Sequence, residues 1–224
     1  AVYEVTVTAN SQTAIYDGTE KSVSGFVDET ERGIPVTANG QTYYVTGLTS
    51  TAAGTNVSDS KATIPVVGTA VVKDASGNNV TEQFNVTVTP GSLTINKRTV
   101  TLTSATLSKE YDGTALTNGD TALAVESGWA DGEGASYTFT GSQTLVGNSP
   151  NAFDYTLNSN TLAGNYEIQK SEGTLTVRNR DAAYEVTVTA SSLTAIYDGT
   201  EKSVSGFVDE TEQGIPVEAN GQIY

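Results

Sequence analysis

Apolar and polar residues alternate along many short stretches of this chain, which is typical of β-strands with one buried face. Residues 3–9, for example, place Tyr3, Val5 and Val7 on one side and Glu4, Thr6 and Thr8 on the other. Threonine, valine and tyrosine dominate these stretches, and they fit a pleated, half-buried surface. No long stretch has apolar residues at helical spacing. The pattern therefore predicts an all-β (mainly β) protein.

Turn-forming residues divide the chain into short predicted strands. Tight turns are expected at Asp17-Gly18, Asn39-Gly40, Gly77-Asn78 and Asp112-Gly113, because Gly and Asn accept a positive φ at low cost. The predicted strands are 3–9, 21–26, 34–38, 42–46, 63–72, 83–89, 92–95, 99–104, 122–126, 136–140, 153–157, 166–169 and 174–177.

Part of the sequence is duplicated. Residues 1–43 and 182–224 align without a gap at an offset of 181, and 37 of these 43 positions are identical. The longest identical run, TAIYDGTEKSVSGFVDETE, begins at Thr13 and again at Thr194. Self-similarity at a fixed period is the signature of repeat architectures, so the chain holds slightly more than one 181-residue period.

A fainter repeat lies inside that period. The sequence Tyr-Asp-Gly-Thr occurs at 16–19, 111–114 and 197–200, and QFNVTVTPGSLTI from Gln83 is similar to NYEIQKSEGTLTV from Asn165. We therefore predict three parts: a β-rich domain at 1–97, a second at 98–180, and the truncated start of another copy of the first at 181–224.

The predicted junctions between these parts are short. Only Asn96, Lys97 and Arg98 separate Ile95 from the strand that opens at Thr99, and no Gly/Ser-rich or Pro-rich linker occurs there. Such junctions predict an elongated, semi-rigid rod with domains end to end. About 43 residues of a β domain should not fold alone, so residues 181–224 are expected to need a partner if they are ordered.

Composition and charge argue against catalysis, metal binding, nucleic-acid binding and membrane contact. The sequence lacks histidine, cysteine and methionine, its formal net charge is −15, and its pI is near 4.2. The commonest metal ligands, the commonest general base and the best nucleophile are absent, so we predict no enzyme, no cofactor and no metal site. An acidic surface repels phosphate, which argues against a nucleic-acid partner. No polybasic segment or membrane-length apolar run occurs, so no membrane contact is expected within this chain.

The repeated motifs resemble the MBG or YDG-type tandem repeat domains of bacterial cell-surface adhesins. Residues 98–180 match best, with SKEYDGTALTNGD from Ser108 and GNYEIQKSEGTLTV from Gly164. Residues 1–97 keep the YDGT and GSLTI motifs but have Gln83-Phe84 in place of Asn165-Tyr166. The resemblance implies an extracellular, wall-anchored or secreted bacterial protein built from small immunoglobulin-like or β-grasp-like domains. It supplies no catalytic residues.

The Tyr-Asp-Gly motif has two interpretations. Tyrosine can stack on sugars and aspartate can accept their hydroxyls, but a motif at the same place in each unit is what a structural turn with a half-buried tyrosine would give. We favour the turn, and the predicted structural turn residues are Tyr16, Asp17, Gly18, Tyr111, Asp112, Gly113, Tyr197, Asp198 and Gly199.

Other candidate sites are weaker. Asp28, Glu29 and Glu31 could hold calcium, as could their duplicates Asp209, Glu210 and Glu212 and the pair Asp131 and Glu133, but no DxDxDG-like loop is present and a solvated acidic loop is favoured. An intramolecular isopeptide bond would need a lysine and an asparagine buried beside a carboxylic acid. Candidates for this bond are Lys21, Lys109, Lys202 and Asn165, although the polar run that contains Lys109 predicts an exposed side chain.

The function predicted from the sequence is a structural stalk that projects a distal binding domain from a bacterial cell surface. Its partners would be neighbouring repeats of the same chain. A first alternative is direct binding of host glycans, mucin or matrix proteins through exposed Tyr43, Tyr44 and Trp129. A second is self-association into an extracellular filament by strand exchange between chains.

Overall fold

The computed structural model describes residues 2–119, 122–181, 183–219 and 222–224, and this part of the chain is mainly β. Helical structure within it is limited to three 3₁₀ turns, Val57–Asp59, Thr81–Gln83 and Ala163–Asn165, and no helix there is long and apolar enough to cross a membrane. The strands are β1 Tyr3–Thr8, β2 Gln12–Ile15, β3 Lys21–Ser24, β4 Ile34–Ala38, β5 Gln41–Gly54, β6 Val66–Lys73, β7 Phe84–Thr89, β8 Leu93–Asn96, β9 Arg98–Thr103, β10 Leu107–Glu110, β11 Leu116–Thr117, β12 Val125–Ser127, β13 Ala135–Phe139, β14 Ser142–Gln143, β15 Gly147–Pro150, β16 Phe153–Leu157, β17 Tyr166–Ser171, β18 Thr174–Arg178, β19 Glu218–Ala219 and β20 Gln222–Ile223.

All thirteen predicted strands overlap an observed strand, but several bounds were wrong. The strand predicted at 42–46 is the start of β5, which continues to Gly54, and the one predicted at 122–126 begins only at Val125. Before residue 182, five strands were not predicted: β2, β10, β11, β14 and β15.

The chain divides into two compact units. The first comprises residues 1–103, 123–137 and 155–171, and the second comprises 104–122, 138–154 and 172–224. The domain boundaries predicted near residues 97 and 180 stay predictions, because compactness alone does not show which segments fold independently.

Parallel strand pairs organise the first unit. β1 pairs with β7 so that Val5 lies opposite Val86 and Val7 opposite Val88, and β2 pairs in parallel with β8. β5 pairs antiparallel with β3, β4 and β6. The core formed by these elements contains the buried side chains Val5, Val7, Phe26, Ile34, Val36, Val45, Val72 and Phe84.

One irregularity in β5 depends on glycine. The register between β5 and β6 shifts between Thr46 and Leu48, where Gly47 has φ 81° and faces Gly68 at φ 110°. A Cβ on Gly68 would lie 2.1 Å from the Gly47 carbonyl oxygen, so only glycine allows the two backbones to approach this closely.

A second sheet of the first unit has the order β12-β9-β17. β9 is antiparallel to β12 and parallel to β17, and its inward residues Val100 and Leu102 are fully buried. In the second unit, β18 lies between β10, which is parallel to it, and β15, which is antiparallel. Leu175 and Val177 of β18 are buried there.

Candidate functional site

The Tyr-Asp-Gly-Thr sequence at 16–19 forms a tight turn held by its aspartate. The Asp17 carboxylate accepts hydrogen bonds from the Thr19 N–H at 2.8 Å, from Thr19 Oγ1 at 2.6 Å and from Lys21 Nζ at 2.5 Å. Gly18 has φ 82°, in the left-handed region that favours glycine. Aspartate closing a turn through the backbone two residues further on is a common turn geometry.

The other two copies of the motif repeat this arrangement. Asp112 accepts from Thr114 and Lys109, and Asp198 accepts from Thr200 and Lys202. The lysine hydrogen bond is the main reason that the pKa values of Asp17 and Asp112 lie well below the usual range, and it lowers the pKa of Asp198 to about 2. These carboxylates are charged and paired at neutral pH, which suits a turn and not a general base.

The tyrosines of the three motifs have very different environments. Tyr16 is 4% exposed, Tyr111 is half-buried and Tyr197 is 91% exposed. The Tyr16 ring meets the Tyr166 ring edge-on, with centroids 5.4 Å apart, and its hydroxyl donates a hydrogen bond to Glu133 Oε1. The first motif is therefore part of a packed contact between distant segments of the chain.

Glu133 binds two tyrosine hydroxyls. Its Oε2 accepts a hydrogen bond from the Tyr166 hydroxyl at 2.8 Å, and that hydroxyl accepts one from the Ala130 N–H at 3.1 Å. Burial and then Glu133 raise the pKa of Tyr16, and burial is the largest cause that raises the pKa of Tyr166 to about 12. Both phenols therefore remain neutral donors to one carboxylate at physiological pH.

Asn165 makes a second contact beside this one. Its Nδ2 donates to Asn56 Oδ1 at 2.8 Å, and its Oδ1 accepts from the Val57 N–H at 3.0 Å. Asn165 is 2% exposed, so both ends of its amide are satisfied inside the protein. The Asn165 side chain also interacts with Tyr16 and partly offsets the rise in that pKa.

These side chains, together with the Val57 N–H, form one network, which we call the Tyr16 cluster: Tyr16, Asn56, Val57, Glu133, Asn165 and Tyr166. All six belong to the first compact unit. The cluster joins residues 16–57 to residues 133–166, and each polar contact in it has a defined partner. Such a partly buried network favours one packing geometry, since a displacement would break several hydrogen bonds at once.

Glu29 and its duplicate Glu210, two of the acidic calcium candidates, lie outside the cluster and hold local turns. Glu29 accepts a hydrogen bond from the Phe26 N–H at 2.9 Å, and Glu210 repeats this contact with Phe207 at 3.0 Å. Asp28 has φ 56° at the same turn. Within the described ranges, no three acidic side chains are placed together to hold a metal ion. Asp131 is exposed, and its neighbour Glu133 belongs to the Tyr16 cluster.

The expectation that Tyr43, Tyr44 and Trp129 are exposed was wrong. Tyr43 packs edge-on against Phe84 with centroids 4.8 Å apart, and the Arg32 guanidinium covers Tyr44 at 4.7 Å from its centroid. Trp129 packs against Tyr166 at 4.9 Å. All three are partly buried, Tyr43 and Trp129 against other aromatic rings and Tyr44 beneath Arg32.

The isopeptide candidates have other partners. Lys21, Lys109 and Lys202 form ion pairs with Asp17, Asp112 and Asp198, at 2.5, 2.7 and 2.6 Å respectively. Lys109 is half-buried, where the sequence suggested exposure. Asn165 ends a 3₁₀ turn just before β17 and bonds to Asn56 and Val57, as described above.

Sequence reasoning did not identify the Tyr16 cluster as a site. The Tyr16 motif was recognised, but Glu133 was considered only as a weak calcium ligand, and Asn56 and Tyr166 were given no role. Glu133 lies 117 residues from Tyr16 along the chain, and no local pattern connects them. The only sequence signal was that NYEI, which contains Asn165 and Tyr166, ends the second predicted domain.

Comparisons of the chain with protein-family models, with curated proteins and with solved structures found no significant match to any of them.

Proposed function

We propose that this chain is a stretch of structural stalk from a bacterial cell-surface adhesin, in which small β-rich repeats of immunoglobulin-like or β-grasp-like type follow one another as a semi-rigid rod. The repeats hold a distal binding domain away from the cell. The stalk performs no catalysis and needs no cofactor. Its resemblance to MBG or YDG-type repeats and its extracellular location are part of this proposal.

The Tyr16 cluster is the observation that carries the proposal. A spacer must resist bending at its junctions, and this cluster connects residues before position 97 to residues after it through partly buried hydrogen bonds. Strand β8 ends at Asn96 and β9 begins at Arg98, so a single residue separates them. A short connection together with a specific side-chain contact leaves little freedom for a hinge.

Small-angle X-ray scattering tests the proposal on residues 1–181 and on two such periods in tandem. A compact globule of 181 residues should have a radius of gyration of about 16 Å. We expect a larger value for one period and nearly twice that value for two, because stiff units add along one axis. A value near 16 Å for one period would mean that the segments fold back on each other and would reject the stalk.

A matched variant shows whether the Tyr16 cluster supplies the stiffness. Glu133→Gln with Asn165→Ala should leave the strands intact by circular dichroism while lowering the radius of gyration of the two-period protein. The control is Glu20→Gln with Asn148→Ala, which makes the same two changes at exposed side chains outside the cluster. If the cluster variant and the control give the same scattering curve, stiffness has another origin.

Direct glycan binding has less support. In the second unit, Lys109, Glu110, Tyr111, Asp112, Arg180 and Tyr184 line a depression of about 460 Å³, which offers charged and aromatic groups. However, the Arg180 guanidinium lies 3.5 Å from the centroid of the Tyr184 ring and covers the face on which a sugar would stack.

A further inference from the structure

The sequence contains three Asn-Gly pairs, at 39–40, 118–119 and 220–221, and the structure describes the first two. Asparagine followed by glycine is a chemically labile pair, because the glycine nitrogen can attack the asparagine side-chain carbonyl and glycine has no Cβ to obstruct the approach. Asparagine is correspondingly among the residues that are depleted in heat-stable proteins. The surroundings of each pair in the fold therefore decide how readily it reacts.

The first pair forms the two-residue turn that joins β4 to β5. Asn39 and Gly40 have φ values of 48° and 73°, and a positive φ at both positions is the signature of a type I′ hairpin turn. Ala38 and Gln41 are the last paired residues of the hairpin. Asn39 and Gly40 are both exposed, and a Cβ added to Gly40 would meet no atom within 4 Å.

The two groups that would react in this turn are free. Among the described residues, neither the Asn39 side-chain amide nor the Gly40 N–H has a hydrogen-bond partner. No hydrogen bond has to break before the Gly40 nitrogen approaches the Asn39 side chain, and the exposure of both residues lets water reach them. The tip of this hairpin is therefore open to the reaction.

The second pair is held in place. Asn118 Oδ1 accepts a hydrogen bond from Asn151 Nδ2 at 2.6 Å, and Asn118 Nδ2 donates to the Ala122 carbonyl at 3.3 Å. Asn118 is half-buried and Asn151 is 0% exposed. Rotation of the Asn118 side chain towards the Gly119 nitrogen would break both bonds and take an acceptor away from the buried Asn151 amide, which is costly.

We propose that Asn39 is a self-modification site, at which the folded chain converts this asparagine to aspartate and isoaspartate with water as the only co-reactant. The Gly40 nitrogen attacks Asn39 Cγ and loses its proton. The bond between Cγ and Nδ2 then breaks, and the amide leaves as ammonia. Water opens the resulting succinimide at either carbonyl, which gives the two products. None of these residues belongs to the Tyr16 cluster, and the inference does not rest on the stalk.

The two products would affect the hairpin differently. Both add a negative charge to its tip. Aspartate keeps the main chain as it is, and it tolerates a positive φ nearly as well as asparagine does. Isoaspartate inserts one extra carbon into the main chain between positions 39 and 40. The two-residue loop then no longer fits the paired ends at Ala38 and Gln41, so this product should open the end of the hairpin.

Peptide mapping by mass spectrometry tests the proposal on the full 224-residue chain after incubation in mildly alkaline buffer. We expect Asn39 to lose its amide at least about tenfold faster than Asn118 in the same sample, because two hydrogen bonds must break at Asn118. Isoaspartate should be detected at position 39 by enzymatic methylation. In guanidinium chloride the two rates should become similar, because the same dipeptide is then free of the fold at both places.

A variant separates the effect of the charge from that of the longer main chain. Asn39→Asp adds the charge and leaves the main chain unchanged, so amide hydrogen exchange at Gln41 should stay close to that of the fresh protein. In the incubated protein, the fraction with isoaspartate at position 39 should exchange faster at Gln41. Equal exchange in this fraction and in the variant would reject the opening of the hairpin.

Three further results would overturn the assignment of the site. The first is equal loss of amide at Asn39 and Asn118 in the folded chain, which would mean that the fold does not control the reaction. The second is reaction of Asn39 in guanidinium chloride but not in the folded chain, which would mean that the hairpin protects it. The third is conversion of Asn39 without any isoaspartate, which would indicate direct hydrolysis by water in place of attack by the Gly40 nitrogen.

Discussion

At the scale of the residue, Glu133 is the centre of the contact that distinguishes the first Tyr-Asp-Gly-Thr motif from the other two. All three motifs fold the same aspartate turn, yet only Tyr16 is buried and hydrogen-bonded to a carboxylate. The motif alone therefore determines the turn, and the distant partner determines what the tyrosine does. The turn could be predicted from the sequence because it depends on neighbouring residues. The contact between Tyr16 and Glu133 could not, because it depends on tertiary structure.

Replacing the buried tyrosine and its exposed duplicate separates these two roles. Tyr16→Phe removes the hydroxyl that binds Glu133 and should lower the free energy of unfolding by about 1–3 kcal/mol. Tyr197→Phe changes a 91% exposed side chain in the same motif, and it should change the free energy of unfolding by less than about 0.5 kcal/mol. Urea denaturation of both variants measures the difference. Equal effects would mean that the Tyr16 hydroxyl contributes nothing beyond the turn.

The raised pKa of Tyr166 predicts instability at alkaline pH. Its folded pKa of about 12 exceeds the unfolded value near 10, so the folded state binds more protons between these values. The stabilisation is complete below pH 10 and is lost as the pH rises towards 12. We expect the urea midpoint to fall across this window, and to fall less steeply in Tyr166→Phe. Parallel pH profiles for this variant and the wild type would contradict the assignment to Tyr166.

At the scale of the element, alternation predicted the strands that contribute side chains to a core. β1, β7 and β9 have inward valines or leucines at every second position, and each was expected close to where it lies. β2, β10 and β15 have the sequences QTAI, LSKE and GNSP, with few apolar residues and no clear alternation. These strands exist because a neighbour supplies their hydrogen bonds, and that information is tertiary.

One sequence in two environments, in β1 and again at residues 184–189, provides a direct measure of packing. Val7→Ala in β1 should lower the free energy of unfolding by roughly 1–3 kcal/mol, because it removes two buried methyl groups and leaves a cavity. Val188→Ala makes the same change in an identical local sequence where the side chain is 47% exposed, and it should cost less than about 0.5 kcal/mol. Chemical denaturation compares them. A similar loss for both would show that residues 184–189 are packed in solution.

At the scale of the whole molecule, the sequence and the contacts divide the chain differently. The repeats place a boundary near residue 97, whereas the first compact unit extends through β9 and also takes in β12 and β17. Sequence similarity shows which segments were duplicated, whereas tertiary contacts show which segments pack together in the folded chain. The two need not agree where a side-chain network such as the Tyr16 cluster crosses a junction.

Cooperativity of unfolding distinguishes the two divisions. Val7 and Val100 lie on opposite sides of residue 97 but in the same compact unit, and Leu175 lies in the other unit. If the compact units unfold as units, Val7→Ala and Val100→Ala should shift the same transition, and Leu175→Ala should shift a different one. Trp129 is the only tryptophan of the sequence and lies in the first unit, so its fluorescence reports that transition, while calorimetry detects both. The opposite result would be that Val100→Ala shifts the transition affected by Leu175→Ala and leaves the transition affected by Val7→Ala unchanged. The boundary near residue 97 would then separate the units that unfold independently. The Tyr16 cluster would in that case join two domains that unfold separately.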